Sequence, residues 1–312
     1  MGNTGQPKSI NEIIDLRAPH LSDEGHNPTQ SGVSYPPVET PVLIVGGGPV
    51  GLLCSILLAR CGIRSTILER HANRLGHPKS HVINPRSTEI MRQAGLDIKR
   101  LRNLGASPTD AEVVRFATSM AGLELGSIPF DKQGETALTF TPEPLFNIPQ
   151  PLLEDYLYEV VIQTGKVTLW REAQWQSSDK TTDGNELSRI LNRRTNTIFE
   201  YRSKYLLCCD GANARSREQL QIPFPPLDSN PAKPLHHASV HINADLRKMK
   251  SGTLWWIWSL SQIGTFISYD RSSSWVFVIT FDPLVTPKTT FTEDFCRAQI
   301  DKVHCKSYVK AL

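Results

Sequence analysis

A chain of 312 residues has room for two domains, or one large one, with a sizeable core. With 39% apolar and 21% charged residues it has a soluble globular composition, and a net charge of +3 points neither to nucleic acid nor to an acidic membrane surface. None of the six cysteines forms a C-x-x-C pair of metal-binding spacing, so no metal is expected and a reducing, cytoplasmic compartment is.

Residues 1–40 are rich in Pro, Ser, Asn, Gly and charge, and read as a disordered tail without a signal-peptide core. The opening Met1-Gly2 is followed by Gln6 where a myristoylation signal needs Ser or Thr. Pro41–Ala59 is apolar and nearly long enough to span a bilayer. It contains four glycines and Pro49, however, so a strand, a turn and a helix explain it better than a membrane span. Val42–Val45 is a β-branched run of the kind buried in parallel sheets, and Val50–Arg60 a helix capped at Gly62. Arg64–Leu68 closes a βαβ unit of about 28 residues. Asn84, Pro85 and Gly95 start and stop the next helix. Pro151–Gln163 is another, with Leu152, Leu153, Tyr156, Leu157, Val160 and Val161 on its apolar face and Gly165 at its end.

Strands at Gln174–Ser177, Leu187–Asn192 and Thr197–Tyr201 suggest a meander turned at Asp183-Gly184-Asn185. Lys204–Cys209 reads as a further buried strand, Cys208 and Cys209 included, with a helix over Asn213–Leu220 after it. The proline-rich stretch Ile222–Pro234 marks a boundary. Beyond it, His237–Ala244, Thr253–Ser259, Thr265–Tyr269 and Trp275–Phe281 read as antiparallel strands, with a short helix near Thr292–Val303. Trp255 faces opposite to Trp256 and Trp258 on its strand, and core packing is expected for two of these three. His236 and His237 read as surface or strand residues without a partner pattern. The fold class is α/β: a Rossmann-like domain with a parallel sheet plus an antiparallel β-rich domain. The expected boundaries are a tail over 1–40, a nucleotide-binding domain over 41–115 and 140–222, and a second, incomplete domain over 116–139 and 223–312.

Gly46-Gly47-Gly48-Pro49-Val50-Gly51 fits G-x-G-x-x-G between a strand and a helix. Gly46 allows the tight turn, Gly48 lets backbone approach a pyrophosphate, and Gly51 lets helix pack on strand. The helix N-terminus then faces the diphosphate. Glu69, 18 residues beyond Gly51, ends the second strand, where a carboxylate accepts hydrogen bonds from ribose hydroxyls. An adenine dinucleotide is the expected ligand. NAD and FAD proteins share this fingerprint, so it does not choose between them.

Downstream, Tyr205-Leu206-Leu207-Cys208-Cys209-Asp210-Gly211-Ala212-Asn213, with Arg217 following and Ala214 where serine is usual, resembles the Asp-Gly signature of flavoprotein aromatic hydroxylases. His81 through Arg92, including Asn84, Pro85, Arg86 and Glu89, is similar to that family's flavin-lining segment, and Gln150 through Glu154 to its glutamine-led helix start. The order and spacing of these motifs agree from Val42 to about Phe281, most closely with the phenol-hydroxylase and chlorophenol-monooxygenase branch. Two departures stand out. Lys79 replaces an arginine common in that branch, which keeps the charge but loses the bidentate fork. No Gly-Asp dipeptide, the family's third flavin-binding signature, occurs in the 312 residues, so a truncated or shortened chain is expected.

The resemblance implies an FAD- and NAD(P)H-dependent monooxygenase acting with O2 on a small aromatic compound, a phenol or an aromatic natural product. The alternative is a non-catalytic nucleotide-binding remnant or interaction protein. It implies a cofactor-binding set of Gly46, Gly48, Pro49, Gly51, Glu69, Arg70, Lys79, Arg92, Gln150, Asp210 and Gly211. His81 is the candidate base that deprotonates the phenol, beside an equally open reading as a structural hydrogen-bonding residue. No nucleic-acid partner is expected, and homodimerisation is left open.

Overall fold

Leu43 and Ile44 are wholly buried and Val42 and Val45 nearly so, as a strand covered on both faces requires. They belong to a computed structural model describing residues 36–73, 79–130, 135–223, 235–258 and 263–303. In chain order, the first stretch holds β1 (Val38–Val45), α1 (Pro49–Arg60) and β2 (Ser65–Glu69). Then come β3 (Val82–Ile83), α2 (Pro85–Gln93), α3 (Ile98–Asn103), α4 (Pro108–Ala111), β4 (Val113–Ala117), β5 (Glu124–Pro129) and β6 (Phe146–Asn147). The third stretch runs through α5 (Gln150–Thr164), β7 (Val167–Arg171), β8 (Ala173–Lys180), β9 (Glu186–Asn192), β10 (Thr197–Cys208) and α6 (Arg215–Gln219). The last holds β11 (His236–Ile242), β12 (Leu254–Trp258), β13 (Ile263–Asp270), β14 (Ser274–Phe281) and α7 (Glu293–Val303).

Two compact units result: Met1–Gly76 with Leu153–Pro225, and His77–Leu152 with Pro226–Leu312. The division differs from the expected domains at residues 77–115 and 140–152, which pack with the second unit. The first unit carries a sheet of order β7-β2-β1-β10-β9-β8, parallel from β7 to β10 and antiparallel from β10 to β8. The expected tail lies outside the described residues up to 35, but β1 begins at Val38, three residues inside it. Strand β7, unanticipated, lies parallel beside β2.

Two expected strands are one. β10 runs unbroken because it changes partner midway: Thr197–Ser203 pairs with β9, while Tyr201–Cys208 pairs with β1. The polar run Arg202-Ser203-Lys204 spans the junction of the two expected strands, and Ser203 is buried at the crossover. Past Ser203, β10 has a ladder partner on one side only among the described residues, and this overturns the expectation of a buried strand there: Cys208 and Tyr205 are exposed and Cys209 half-buried. Helix α5 buries Leu153, Tyr156, Leu157 and Val161 as expected, whereas Leu152 is exposed and Val160 half-buried. The positive-φ glycines Gly62, Gly95 and Gly165 stand just past helices α1, α2 and α5, as their sequence positions foretold.

The second unit carries a sheet of order β11-β14-β13-β12-β4-β5, antiparallel except for the β12–β4 pair, with β3 and β6 forming a separate two-stranded ladder. Its core is Trp255, Ile257, Phe266, Trp275, Phe277 and Ile279, covered by Ile300 and Val303 of α7. Full burial of each such side chain contributes about 1.5–3 kcal/mol. Only one tryptophan of β12 is core: Trp255 is 2% exposed, Trp256 39% and Trp258 54%. Period-two alternation puts 256 and 258 together on the outer face, and so corrects the expected two of three. His236 and His237 are on β11, and His237 Nδ1 lies 3.0 Å from Thr280 Oγ1. No helix among the described residues is long and apolar enough to cross a membrane.

Candidate functional site

Three turns meet at one end of the first sheet. β2, β1 and β10 are parallel neighbours, and Val45 at the end of β1 pairs with Leu68 on one side and Cys208 on the other. The Gly46–Gly51 turn, Glu69 and the Asp210-Gly211 turn are thereby gathered beyond the carboxyl ends of adjacent strands, where open α/β sheets bind ligands.

Backbone fixes the first turn. The Gly46 amide donates to Leu68 O (2.8 Å), and Gly46 has a φ of +105°. A Cβ there would overlap the Cys209 carbonyl, and one at Gly51 the Gly46 carbonyl, so both close approaches require glycine. Gly48 differs: its φ is −77°, and nothing lies within 4 Å of where its Cβ would stand. The space over the turn is open at this residue. Gly48 caps α1, Pro49 takes the first position, and the Leu52 amide donates to Gly48 O (3.0 Å). In the first turn of any helix the leading amides lack intrahelical acceptors, which makes this end suited to an anion.

Glu69 is held from two sides. Its Oε2 accepts from the Gly47 amide (3.0 Å) and its Oε1 from the His71 amide (2.8 Å). The adjacent Arg70 donates through Nε to His71 Nε2 (3.1 Å), while its carbonyl accepts from Arg193 (2.9 Å). Asp210 closes the third turn onto α6, accepting from the Ser216 amide (3.1 Å) and hydroxyl (2.7 Å). Its carboxylate is thus a local brace. Gly211 has a φ of +84° and open space around it, and Arg217 donates to Ala212 O (2.8 Å).

The remaining expected residues lie in the second unit. Lys79 is exposed. Ile148 and Gln150 donate backbone amides to His81 O (2.8 Å) and Ser80 O (3.0 Å), so the chain at 80–81 runs against the start of α5. His81 Nδ1 is 3.0 Å from Asn147 Oδ1, and its ring meets Tyr269 edge-on at 5.6 Å. Burial pushes the His81 imidazole below its ordinary 6.5, against the hydrogen bond with Asn147, which raises it. With Asn147 Oδ1 accepting, Nδ1 carries the proton and Nε2 is the basic nitrogen. Arg92 is paired with Glu143 (3.6 Å), a largely buried carboxylate that also holds Arg102 (3.1 Å).

Sequence reasoning missed Tyr158, Asn147 and Glu143. The Tyr158 hydroxyl is buried and donates to Gly47 O (3.0 Å), bracing the glycine turn from α5. Its one sequence signal was a tyrosine in an apolar helix, since a buried phenol hydroxyl needs a partner. Asn147 ends the two-residue strand β6 and Glu143 stands in irregular chain, and neither gave a signal.

The family of the FAD binding domain matches residues 39–311. A 2,4-dichlorophenol 6-monooxygenase of Cupriavidus pinatubonensis is 32% identical over 193 residues, 60% of this chain and 31% of that relative. A putative polyketide hydroxylase of Streptomyces coelicolor is 29% identical over 267 residues, 83% of this chain and 41% of that one. The chain therefore spans less than half the length of these curated relatives. Among solved structures, the flavin-dependent monooxygenase PieE in complex with FAD and substrate superimposes with a TM-score of 0.74 at 26% identity, covering 86% of this chain and 47% of that one. A ternary complex of aklavinone-11 hydroxylase with FAD and aklavinone gives 0.73 at 24%, covering 86% and 51%, a likeness of fold.

Proposed function

The chain belongs to the family of the FAD binding domain, and from that premise we propose that it is the cofactor-holding part of a monooxygenase that hydroxylates a phenolic or related aromatic compound, using NADPH or NADH and O2. The observation that carries the reading is the convergence of the Gly46–Gly51 turn, Glu69 and the Asp210-Gly211 turn beyond three neighbouring parallel strands. The open space at Gly48 and Gly211, and a carboxylate already fixed by two backbone amides, fit an adenine dinucleotide.

Held by the glycine turn, Glu69 and the Asp210-Gly211 turn, FAD would supply acceptance of hydride from the nicotinamide and delivery of electrons to O2. The chain's own residues bind and orient. The first-turn amides of α1, at the positive end of its dipole, would hold the diphosphate, and Glu69 would accept from the adenosine ribose. Tyr158 keeps the turn from moving, and the Asp210–Ser216 brace keeps Gly211 beside it. By resemblance we also assign Lys79, Arg92 and Gln150 to the cofactor; Arg92 is held by Glu143. His81, neutral at pH 7 with Nε2 as its basic nitrogen, takes the phenolic proton. The substrate class rests on the similarity to a dichlorophenol monooxygenase and a putative polyketide hydroxylase. The five described cysteines, all free, support a reducing, cytoplasmic setting.

The test is the absorption spectrum of the purified chain after FAD titration and gel filtration. Retained flavin bands are expected; a colourless protein that still binds NADH would replace this reading by a nicotinamide-only oxidoreductase. NAD(P)H consumption with a panel of phenols, read against hydroxylated product, then tests the reaction. Bound flavin with no product would favour a nucleotide-binding protein without catalysis.

A further inference from the structure

We propose that Arg171 is a further cofactor-binding residue, the support on which the adenine base of the dinucleotide stacks. This role rests on the reading of the Gly46–Glu69 unit as a dinucleotide cradle, and extends it by one strand of the same sheet. β1 ends at the glycine turn and β2 at Glu69, and β7 is the next parallel strand beyond β2. Arg171 is the last residue of β7 and stands in register with Glu69. Neighbours in register on parallel strands point their side chains to the same face of the sheet. A nucleotide whose diphosphate meets the turn after β1, and whose ribose meets Glu69, would carry its base toward the end of β7, since adjacent strands lie only about 4.8 Å apart.

Arg171 is held in place by its surroundings. Its Nη1 donates to Ala72 O (3.0 Å), on the chain that leaves β2. Its guanidinium carbon lies over the Tyr158 ring, 5.2 Å from the ring centre, and the Tyr158 hydroxyl in turn donates to Gly47 O (3.0 Å). Glu172, the following residue, has a φ of +57°, and its carbonyl accepts from the Arg193 amide (2.7 Å). That left-handed conformation is uncommon for a residue with a Cβ, and it turns the chain off the line of β7 directly after Arg171. The guanidinium is thus tied to the elements that fix the glycine turn and Glu69, yet it is not used up. Arg171 is only half-buried, and among the described residues it forms no ion pair. A flat cation lying over one aromatic ring can take a second on its other face, and a purine offers such a ring.

The test is titration of the chain with FAD and with ADP, which share the adenosine diphosphate half. Arg171→Ala should weaken both by the same factor, roughly five- to thirtyfold. Arg171→Lys keeps the stem, the charge and a donor for Ala72 O but loses the planar fork. It should recover only part of that loss, and so serves the test even if the alanine chain does not fold. The Arg171→Ala change is then repeated in Tyr158→Phe, where no hydroxyl braces Gly47. A base contact is independent of that brace, so the full factor should persist there. Unchanged ADP affinity in Arg171→Ala overturns the proposal, as does wild-type affinity in Arg171→Lys. So does an effect that vanishes in the Tyr158→Phe background, which would make Arg171 a prop for the tyrosine. A chain that binds ADP in this Arg171-dependent way but retains no FAD would leave the adenine contact standing and defeat the flavin reading instead.

Discussion

The two units present their candidate residues by different means. In the first, nearly every contact that shapes the site has backbone at one end: Gly46 on Leu68, Gly47 on Glu69, Tyr158 on Gly47, Cys209 on Val45. In the second, the site residues meet through side chains: His81 on Asn147 and Tyr269, Arg92 on Glu143. Backbone geometry accepts few residue types at a given φ and spacing, whereas a side-chain contact of the same strength is met by many combinations. A cradle of the first kind fails abruptly when one atom is added. A pocket of the second kind changes by degrees.

The largest expected effect breaks the cradle itself. Gly46→Ala puts a Cβ into the Cys209 carbonyl at a φ of +105°, and Gly51→Ala puts one into the Gly46 carbonyl. Each should destabilise the chain by about 2–5 kcal/mol from overpacking and backbone strain, and abolish FAD binding. Urea unfolding and flavin fluorescence quenching check this together; wild-type stability in either variant would show that the turn relaxes. Gly48→Val sharpens the contrast, because its site is open and its φ ordinary. Stability should change by less than about 1 kcal/mol, as for a poor helix cap, while FAD affinity falls at least roughly a hundredfold through blocked backbone approach. Unchanged affinity would remove this turn from the cofactor site.

Glu69→Ala comes next. Losing a charged acceptor should weaken FAD by about 1.5–3 kcal/mol, or roughly ten- to a hundredfold, with the circular dichroism spectrum intact. Equal affinity would reassign the ribose contact. Tyr158→Phe removes only the hydroxyl that braces Gly47, and leaves a buried carbonyl without that donor. A stability loss of about 1–3 kcal/mol with a smaller fall in affinity is expected; the reverse order would make Tyr158 a cofactor contact.

This asymmetry also explains what could be read in the sequence. Gly46 and Gly51 were legible because each answers a backbone demand at a fixed spacing, and Asn84, Gly62, Gly95 and Gly165 because caps do the same. β10 was read as two strands because its change of partner at 201–203 leaves no local mark except polar residues, one of them buried. Exposure of Cys208 was invisible for a related reason: an apolar run carries no record of where its neighbour strand stops. Trp256 and Trp258 were assigned to a common face correctly, yet which face is the core is decided by α7, more than thirty residues downstream. Asn147 as the partner of His81 depends on the pairing of β3 with β6 across an intervening stretch of over sixty residues, beyond any periodicity.

The smallest expected effect on stability concerns His81, and it probes the side-chain kind of site directly. Its folded-state imidazole is held below the ordinary 6.5 by burial, which outweighs the opposing hydrogen bond with Asn147. Between the folded value and 6.5 the unfolded chain therefore binds more protons than the folded one, and stability rises with pH across that window. The contribution is complete above the unfolded value and is lost as pH falls below it, with a slope for one group of at most roughly 1.4 kcal/mol per pH unit. His81→Gln removes the titration and keeps a hydrogen-bonding side chain, so its urea midpoint should fall less than the wild type's between pH 7.5 and 5.5. Parallel curves for the two proteins would mean that His81 titrates as it does in water. A neutral imidazole is also what proton abstraction from a phenol demands. The same variant, in a chain that hydroxylates, should lose about 10²–10⁴-fold in the hydroxylation step while flavin affinity stays put. Equal loss of both would return His81 to a structural role in the flavin-lining segment.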